Sequence, residues 1–381
     1  MPWHEVSAMS LRLEFVTLAA ADGANVRQLC RRFGISPKTG YKWLARYRAG
    51  GAAGLADRSR RPAATPGATP AAVERAVLDL RDRHPAWGGR KLRRRLLDAG
   101  PLAPAAVPAA STVTAILRRH DRLGPRAGQP RDWQRFEHPA PNRLWQMDFK
   151  GHFPTAAGRC HPLTILDDHS RYALAVVACA DERGATVRGH LEAVLGRYGL
   201  PDRILCDNGP PWGNATADPH TELTAWLLRL GVAVSHGRPR HPQTQGKDER
   251  FHRTLAAEVL QGAHFADVAA CQRRFDAWRE VYNHQRPHEA LGLAVPATRY
   301  RPSGRSLPAE LPPLVYLPTD VVRVVSRNGD ISFRGRVWRV SRALRGQRVG
   351  VRATATVGVW RVLFGAHGVA DLDFREHTSP E

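Results

Sequence analysis

Three carboxylates in the middle of the chain, Asp148, Asp207 and Glu249, could carry chemistry. Asp148 lies in a mostly apolar segment, where a charged side chain is costly to bury unless it is paired or bound to a metal ion. Asp207 follows a short apolar run, so it lies at the carboxyl end of a predicted strand, where α/β sheets bind ligands. Glu249 lies in a predicted helix that follows a polar, flexible segment. Each signal alone is weak, because an Asp before Asn-Gly is often a turn-former and a helical Glu is often solvated.

The segments around these acids predict an α/β domain at residues 142–300. Period-two alternation in the first strand places Asp148 on the side opposite to Trp145 and Met147. The predicted strands lie at residues 144–151, 162–168, 172–180 and 203–209, and the predicted helices lie at 183–198, 219–230, 245–261 and 267–283.

Residues 24–50 predict a helix-turn-helix unit, within a first domain placed at residues 1–60. Apolar residues recur at helical spacing before Gly34, and Ser36-Pro37 supplies an N-cap and a first-turn proline for the second helix. The outer face of that helix suits a DNA major groove, and a plain helical hairpin is the alternative. The candidate DNA-contacting residues on this face are Lys38, Thr39, Lys42 and Arg46.

A second helical module is predicted at residues 71–125, between linkers at 61–70 and 126–141. In the run RKLRRRLL the leucines face inward, which leaves the basic side chains outside as a second DNA-contacting surface. A solvated charged face is the alternative. The candidate DNA-binding residues here are Arg90, Lys91 and Arg94.

Residues 314–375 predict a small β-barrel. Short β-branched runs alternate with turn signals such as Asn328-Gly329-Asp330. In RVGVR the alternation sends Val349 and Val351 one way and Arg348 and Arg352 the other, so an apolar core with a basic exterior is expected. A basic exterior that only confers solubility is the alternative.

The charge of the chain favours a nucleic-acid partner. Lys and Arg number 57 against 35 Asp and Glu, giving a net charge of +22. The excess is concentrated in residues 1–141, which hold 25 basic and 11 acidic residues. Lys and Arg neutralise phosphates and release counterions, which drives binding to polyphosphates. A basic surface without a ligand is the alternative.

Cysteine usage and apolar patterning indicate a cytoplasmic protein. The five cysteines are scattered and never spaced as Cys-x-x-Cys, which argues against a disulfide framework or a structural zinc site. The N-terminus lacks a basic segment leading into an apolar run, and no stretch approaches about eighteen apolar residues. No membrane partner is expected.

Five sequence words occur in a fixed order through the middle of the chain: LWQMDFKG, LDDHSRY, ILCDNGPPW, HPQTQGKDERFHRTL and YNHQRPHEAL. They closely resemble the catalytic core of bacterial insertion-sequence transposases related to retroviral integrases. The resemblance covers most of the chain. It implies a multidomain protein with N-terminal all-α helix-turn-helix modules, a central α/β RNase H-like catalytic domain and a C-terminal small all-β barrel.

The resemblance also implies a DDE triad that maps onto Asp148, Asp207 and Glu249. These oxygen ligands favour two Mg²⁺ ions, for which Mn²⁺ can substitute. The implied activity is cleavage at the 3′ ends of a mobile element and strand transfer into target DNA. The implied partners are double-stranded DNA, as terminal inverted repeats and as target, and further copies of the chain in a dimer or higher oligomer, with the protein associated with the nucleoid.

Two flanking groups take their expected roles from the same resemblance. Lys247 and Arg250 are expected to contact DNA phosphates near the metals, and a charged helix surface is the alternative. Asp167 and Asp168 are expected to fix a turn by local hydrogen bonds rather than to bind metal.

Asp248 departs from the family pattern, which often has a small apolar residue at this position. Adjacent helical residues point about 100° apart, so Asp248 and Glu249 cannot occupy the same place. We retain Glu249 as the ligand and expect Asp248 to point away from the ligand position. A transposase-derived DNA-binding regulator without catalysis, and a metal-dependent nuclease without strand transfer, are the competing functions.

Overall fold

The computed structural model describes residues 7–58, 67–124, 137–213, 218, 220–237 and 246–375. The chain divides into two compact units, Met1–Ala68 and Thr69–Glu381. The predicted linkers at 61–70 and 126–141 lie mostly outside the described residues.

The first unit is a three-helix domain. Its helices are α1 (Ala8–Ala19), α2 (Val26–Arg32) and α3 (Pro37–Gly50), followed by a 3₁₀ helix at Gly51–Leu55. The Ser36 side chain accepts a hydrogen bond from the Thr39 backbone N–H, and Pro37 opens α3, as predicted. A Cβ on Gly40 would lie 2.3 Å from Cys30 Sγ, so only glycine allows α3 to pack this closely.

The second unit begins with the predicted helical module. Its helices are α4 (Ala71–Arg83), α5 (Gly89–Ala99) and α6 (Ala110–Arg119). Val77, Trp87, Leu92 and Leu96 form its core with apolar residues of α6.

A mixed sheet forms the centre of the second unit. Its strands are β1 (Trp145–Phe149), β2 (Phe153–Thr155), β3 (Gly158–Asp167), β4 (Ala173–Cys179), β5 (Arg203–Cys206) and β6 (Ala233–His236). The strand order is β2-β3-β1-β5-β6, and β4 pairs with β3. β3 is antiparallel to both β1 and β4, while β1, β5 and β6 are parallel. The sequence had not predicted β2 or β6.

Four helices cover the two faces of this sheet: α7 (Gly184–Tyr198), α8 (Glu222–Arg229), α9 (Gly246–Leu255) and α10 (Val268–His284). α9 continues as a π-helix at Ala256–Leu260. Trp145 and Met147 pack with α7 and α8, while α9 and α10 pack on the opposite face. Strand alternation therefore directs Asp148 toward the face covered by α9.

The C-terminal region is all β, as predicted, but its strands form two sheets. The strands are β7 (Val321–Val324), β8 (Asp330–Phe333), β9 (Arg336–Arg339), β10 (Arg348–Ala353), β11 (Val359–Phe364) and β12 (His367–Asp373). One sheet has the order β12-β11-β10-β7, and β8 pairs with β9 in the other. Val349 and Val351 are buried while Arg348 and Arg352 are exposed, as the alternation predicted. A closed barrel stays a prediction.

Two further findings concern the cysteines and membranes. The five cysteines are buried and outside disulfides. Among the helices in the described parts of the chain, none has the length and apolar character needed to span a bilayer.

Candidate active site

Asp148 and Asp207 lie side by side at the carboxyl ends of two adjacent parallel strands. Gln146 pairs with Leu205 in the register between β1 and β5. Asp148 and Asp207, each two residues further along, therefore lie opposite each other on neighbouring strands. Burial, and then the charge of Asp207, raises the pKa of Asp148 to about 7. Burial also raises the pKa of Asp207. Two partly desolvated carboxylates that repel each other form a site suited to a cation.

Hydrogen bonds to β6 and to the following turn fix Asp207. The Gly209 backbone N–H donates to Asp207 Oδ1 at 3.1 Å. His236 Nδ1 donates to the Asp207 carbonyl oxygen at 2.7 Å. β6, which the sequence had not predicted, therefore helps to position one of the two central acids.

The first turns of α9 carry Asp248 and Glu249 on different sides of the helix. Asp248, Phe251 and Leu255 form its buried face, and Asp248 is only 1% exposed. Glu249 is exposed. Asp248 and Glu249 thus point in different directions, and the assignment of Glu249 as the ligand stays a prediction. The burial of Asp248 is a feature that the sequence analysis did not predict. The spacing to Phe251 and Leu255, three and seven residues on, was the signal that the sequence offered.

Glu249 lies one helical turn before His252, which contacts the strand opposite Asp148. Thr164 pairs with Asp148 in the β1–β3 register. The Thr164 hydroxyl donates to the Asp148 carbonyl oxygen at 3.1 Å and lies 2.8 Å from His252 Nε2. Burial lowers the pKa of His252 to about 4, so the ring is neutral and its Nε2–H can donate to Thr164. α9 therefore contacts the sheet beside Asp148 through His252, while the Glu249 side chain is exposed.

Lys247 and Asp168 connect the start of α9 to the sheet. The Lys247 ammonium donates to Asp168 Oδ1. Asp168 is fully buried, and it also accepts from Gln146 Nε2 at 2.8 Å and from the His138 backbone N–H at 2.9 Å. The structure thus places Lys247 against a carboxylate, while Arg250 is exposed.

The two aspartates that follow one another at the end of β3 have different partners. Asp167 behaves as expected, because it accepts from the backbone N–H and the hydroxyl of Ser170, three residues away. Asp168 binds residues distant in the sequence, including Lys247. The expectation of purely local bonds is therefore wrong for Asp168.

Glu182 is an acidic residue near the site that the sequence analysis missed. Its charge raises the pKa of both Asp148 and Asp207. It lies 2.8 Å from His161 Nδ1. Glu182 follows β4, and since β4 and β1 are both antiparallel to β3, their carboxyl ends share one edge of the sheet. Finding it needed the strand order, which local patterns do not give.

Two of the four candidate DNA-contacting residues of α3 lie over its buried Trp43 ring. Lys38 and Lys42 are exposed, and Thr39 and Arg46 are half-buried. The Lys42 ammonium and the Arg46 guanidinium lie 4.5 Å and 5.0 Å from the centre of the Trp43 ring. Lys42 and Arg46 therefore share one basic surface beside Trp43.

The candidates on α5 separate into two faces. Arg90 and Arg94 are exposed, and Arg94 pairs with Asp98 at 2.9 Å. Lys91 is half-buried, and burial followed by the charge of Arg286 lowers its pKa to about 8. The expected outward placement of Lys91 is wrong, because α5 packs against the segment that follows α10.

The site residues fit a hard divalent cation. Across the described ranges, no group of three or more Asp, Glu, His or Cys side chains is arranged to hold a metal ion. Asp148 and Asp207 nevertheless supply an oxygen-only pair, which suits Mg²⁺ or Mn²⁺. Asp248 Oδ1 is buried and has no hydrogen-bond partner among the residues that the structure describes, so one carboxylate acceptor remains unsatisfied there.

Family comparisons agree with this architecture. The matches are to the Integrase core domain at residues 138–242 and 230–296, a Helix-turn-helix domain at 11–63, a Homeodomain-like domain at 39–117 and the IS481 family transposase, C-terminal domain at 320–380. The chain therefore combines N-terminal helix-turn-helix DNA-binding domains with an integrase-type core.

Curated relatives come from insertion elements. An insertion element IS136 protein of Agrobacterium fabrum is 34% identical over 140 residues, which cover 35% of this chain and 69% of that protein. Insertion element IS407 and IS476 proteins, of Burkholderia multivorans and Xanthomonas euvesicatoria, are each 28% identical over 42% and 41% of this chain. Those two matches span 55% and 44% of the relatives' length. The chain belongs to the insertion-sequence transposases with an integrase-type core.

Solved structures of retroviral integrases share a low similarity with this chain. The catalytic core domain of BIV integrase is 20% identical, with a TM-score of 0.31, over 41% of this chain and 92% of that one. The HTLV-2 integrase core in complex with magnesium is 17% identical, with a TM-score of 0.32, over 42% and 97%.

Proposed function

We propose that this transposase binds the ends of a mobile element, cleaves them at the 3′ strand and joins the freed ends to target DNA. The observation that carries the proposal is the alignment of Asp148 with Asp207 at the carboxyl ends of β1 and β5. Their raised pKa values support a role in holding cations rather than in surface solvation.

Asp148, Asp207 and Glu249 would hold two Mg²⁺ ions, or Mn²⁺ in their place. When bound, the ions supply activation of the attacking oxygen and stabilisation of the leaving oxygen in phosphodiester cleavage and transfer. Asp148 and Asp207 lie on neighbouring strands that share one register, so the sheet fixes their relative position. Glu249 comes from α9, whose start is fixed by the bond between Lys247 and Asp168.

DNA binding in this proposal belongs to the helical domains. The exposed Lys38 and Lys42 of α3 would enter the major groove at the element end. Arg90 and Arg94 of α5 would contact phosphates of the same DNA. Synapsis of two element ends requires at least two protomers, so we propose a dimer or higher oligomer that acts on the chromosome in the cytoplasm.

The proposal is tested with duplexes from the DNA that flanks the gene, where short inverted repeats are expected. Purified full-length chain with Mg²⁺ should cleave these ends and join them to a second duplex. Asp207→Asn should reduce both steps by about a thousandfold or more while binding to the ends persists. Asp79→Asn, which removes the same charge from the exposed side of α4, is the control and should retain activity.

The outcomes separate the three functions. Binding to the ends without cleavage by the wild-type chain would identify a DNA-binding regulator. Cleavage without joining would identify a nuclease. Full activity of Asp207→Asn would show that the proposed active site is wrong.

A further inference from the structure

The amino end of α5 carries positive charge without an acid to balance it. α5 begins after Gly88 without a side-chain N-cap, and its first turn holds Arg90 and Lys91 but no Asp or Glu. The free N–H groups of a first helical turn are themselves partly positive, so cations there are unfavourable unless an anion binds. This turn therefore favours a negatively charged ligand.

Lys91 faces from this turn toward the integrase-type core. Arg95, one helical turn later on the same side of α5, donates to Gln285 Oε1 at 3.3 Å. Val281 of α10 packs against the apolar core of the helical module. Lys91 therefore lies at the contact between α5 and the end of α10, where it is half-buried.

The Lys91 ammonium has no carboxylate at ion-pair distance among the residues that the structure describes. Glu258 already binds Arg286 at 2.8 Å, and Glu289 lies 4.0 Å from Arg250. Burial, and then the charge of Arg286, lowers the pKa of Lys91 to about 8, so the amine is still protonated at pH 7. Burial of this charge without a partner costs stability, which an anionic ligand would restore.

His288 supplies an unused polar atom at the same contact. The residue is 8% exposed, and its Nε2 is buried without a hydrogen-bond partner among the described residues. Its ring packs edge-on against Tyr282, with ring centroids 4.7 Å apart, next to Val281 of α10. Burial, and then the charges of Arg286 and Lys91, lowers the pKa of His288 well below its usual value. The ring is therefore neutral, lies among cations and can donate one N–H to an anion.

We propose that Lys91, His288 and the first turn of α5 form a phosphate site, and that DNA bound by the helical module supplies the phosphate. The inference rests on the proposed function, because its ligand is the same DNA. Arg90 and Arg94 are exposed on the same helix, which favours a polyanion over a single free phosphate ion. One phosphate would give the Lys91 ammonium its counter-ion and the His288 ring an acceptor. Since Lys91 belongs to the module and His288 to the core, the bound strand would hold the two together.

The experiment measures binding of the full chain to an element-end duplex and to a duplex of unrelated sequence, by fluorescence anisotropy over a range of salt concentrations. Lys91→Met keeps most of the side-chain volume but removes the charge. It should weaken binding to both duplexes about tenfold, because a phosphate contact carries no sequence information. It should also reduce the slope of log affinity against log salt concentration by about 1.

His288→Phe keeps the ring packed on Tyr282 but removes both nitrogens. It should weaken binding to both duplexes about tenfold with little change in the salt slope, because the lost hydrogen bond is to a charged group and the lost donor is neutral. The double variant should lose less affinity than the product of the two single losses, because both groups bind one phosphate.

Arg75→Met and His264→Phe make the same substitutions at exposed positions, and these controls should bind as wild type does. Melting temperatures without DNA separate a binding role from a structural role. Lys91→Met should melt at a higher temperature than wild type, because the unpaired buried charge is gone, although its DNA affinity falls. A lower melting temperature with an unchanged salt slope would assign Lys91 to packing and overturn the inference.

A calorimetric titration with inorganic phosphate distinguishes the free ion from DNA. Phosphate binding that Lys91→Met abolishes, with DNA affinity unchanged, would assign the site to a free phosphate ion and overturn its role in DNA binding. Wild-type DNA affinity in both Lys91→Met and His288→Phe, with ends still cleaved, would overturn the inference and leave the proposed function standing. If the wild-type chain binds neither duplex, the proposed function fails and the inference fails with it.

Discussion

Lys247 donates to Asp168, so the first turn of α9 is bonded to the end of β3. The two residues are 79 positions apart in the chain, and Asp168 is fully buried. Gln146 of β1 binds the same carboxylate. One buried acid therefore joins three elements that surround the site, and the contact of Lys247 with DNA stays a prediction.

Replacement of Asp168 by Asn should destabilise the second unit by about 3 kcal/mol, because it leaves the Lys247 ammonium without its counter-charge in a largely buried place. Chemical denaturation checks this value. The double variant Asp168→Asn with Lys247→Met should recover part of the loss. Equal stability of Asp168→Asn and wild type would show that the ion pair contributes nothing to the position of α9.

Substitution of Gly40 tests the packing of the first unit. Gly40→Ala should destabilise this unit by about 1–3 kcal/mol, because the added methyl group must displace Cys30 Sγ at 2.3 Å and the Phe15 ring at 2.9 Å. Gly50→Ala, which meets nothing within 4 Å, is the matched control. The melting temperature of each variant is measured by thermal unfolding of the full chain. Binding of each variant to the element end is measured in parallel. Similar melting of the two variants would contradict the close approach of α3 to α1 and α2.

Lys42 tests whether α3 recognises sequence. Lys42→Ala should weaken binding to the element end by about 1–3 kcal/mol relative to unrelated duplex, since a base contact in the major groove discriminates by that amount. Fluorescence anisotropy at a fixed salt concentration gives the ratio of the dissociation constants for the element end and the unrelated duplex. Arg75→Ala, on the exposed side of α4, is the control. An equal loss on both duplexes would assign Lys42 to phosphate contacts instead.

Lys91 makes stability depend on pH at the junction of α5 with the core. Burial holds the pKa of Lys91 at about 8 in the folded chain, against an unfolded value of 10.5. Between pH 8 and 10.5 Lys91 is therefore neutral in the folded state but still protonated in the unfolded state. The free energy of unfolding of wild type should consequently increase over this pH range. Lys91→Met should lack that gain.

At pH 7 the same Lys91→Met variant should be more stable than wild type by about 1 kcal/mol, a value reduced for solvent screening of the half-buried side chain. Denaturation at pH 7, 9 and 10.5 measures the difference between the two proteins. A difference that does not shrink with pH would mean that Lys91 keeps its charge at the junction.

Local pattern was sufficient for most of the elements that carry the site. β1, β3, β4 and β5 followed from apolar runs and alternation, and the cap at Ser36 from its residue type and the following proline. β2 has three residues, one of them a proline, and β6 ends in the polar residues Ser235 and His236, so neither shows a clear apolar run within its own bounds. The neighbouring positions of Asp148 and Asp207 then depended on strand order, which no local pattern encodes.

The residues that sequence analysis misplaced are those whose environment is set by distant segments. The burial of Asp248 was not predicted, although its spacing to Phe251 and Leu255 places it on the buried face of α9. Lys91 and Asp168 each interact with residues far away in the sequence. In each case tertiary packing overrides the general preference of charged side chains for water.

The π-helix that extends α9 carries a charged residue, Glu258, that relates the integrase-type core electrostatically to the helical module. Its Glu258 binds Arg286 at 2.8 Å, and the charge of Glu258 acts on Lys91 and His84 of the module. The same continuous backbone carries Asp248 and Glu249 two to three turns earlier. A charge change at Glu258 would therefore be felt by the segment after α10 and by Lys91 of α5, while the acids of α9 lie on the same continuous helix.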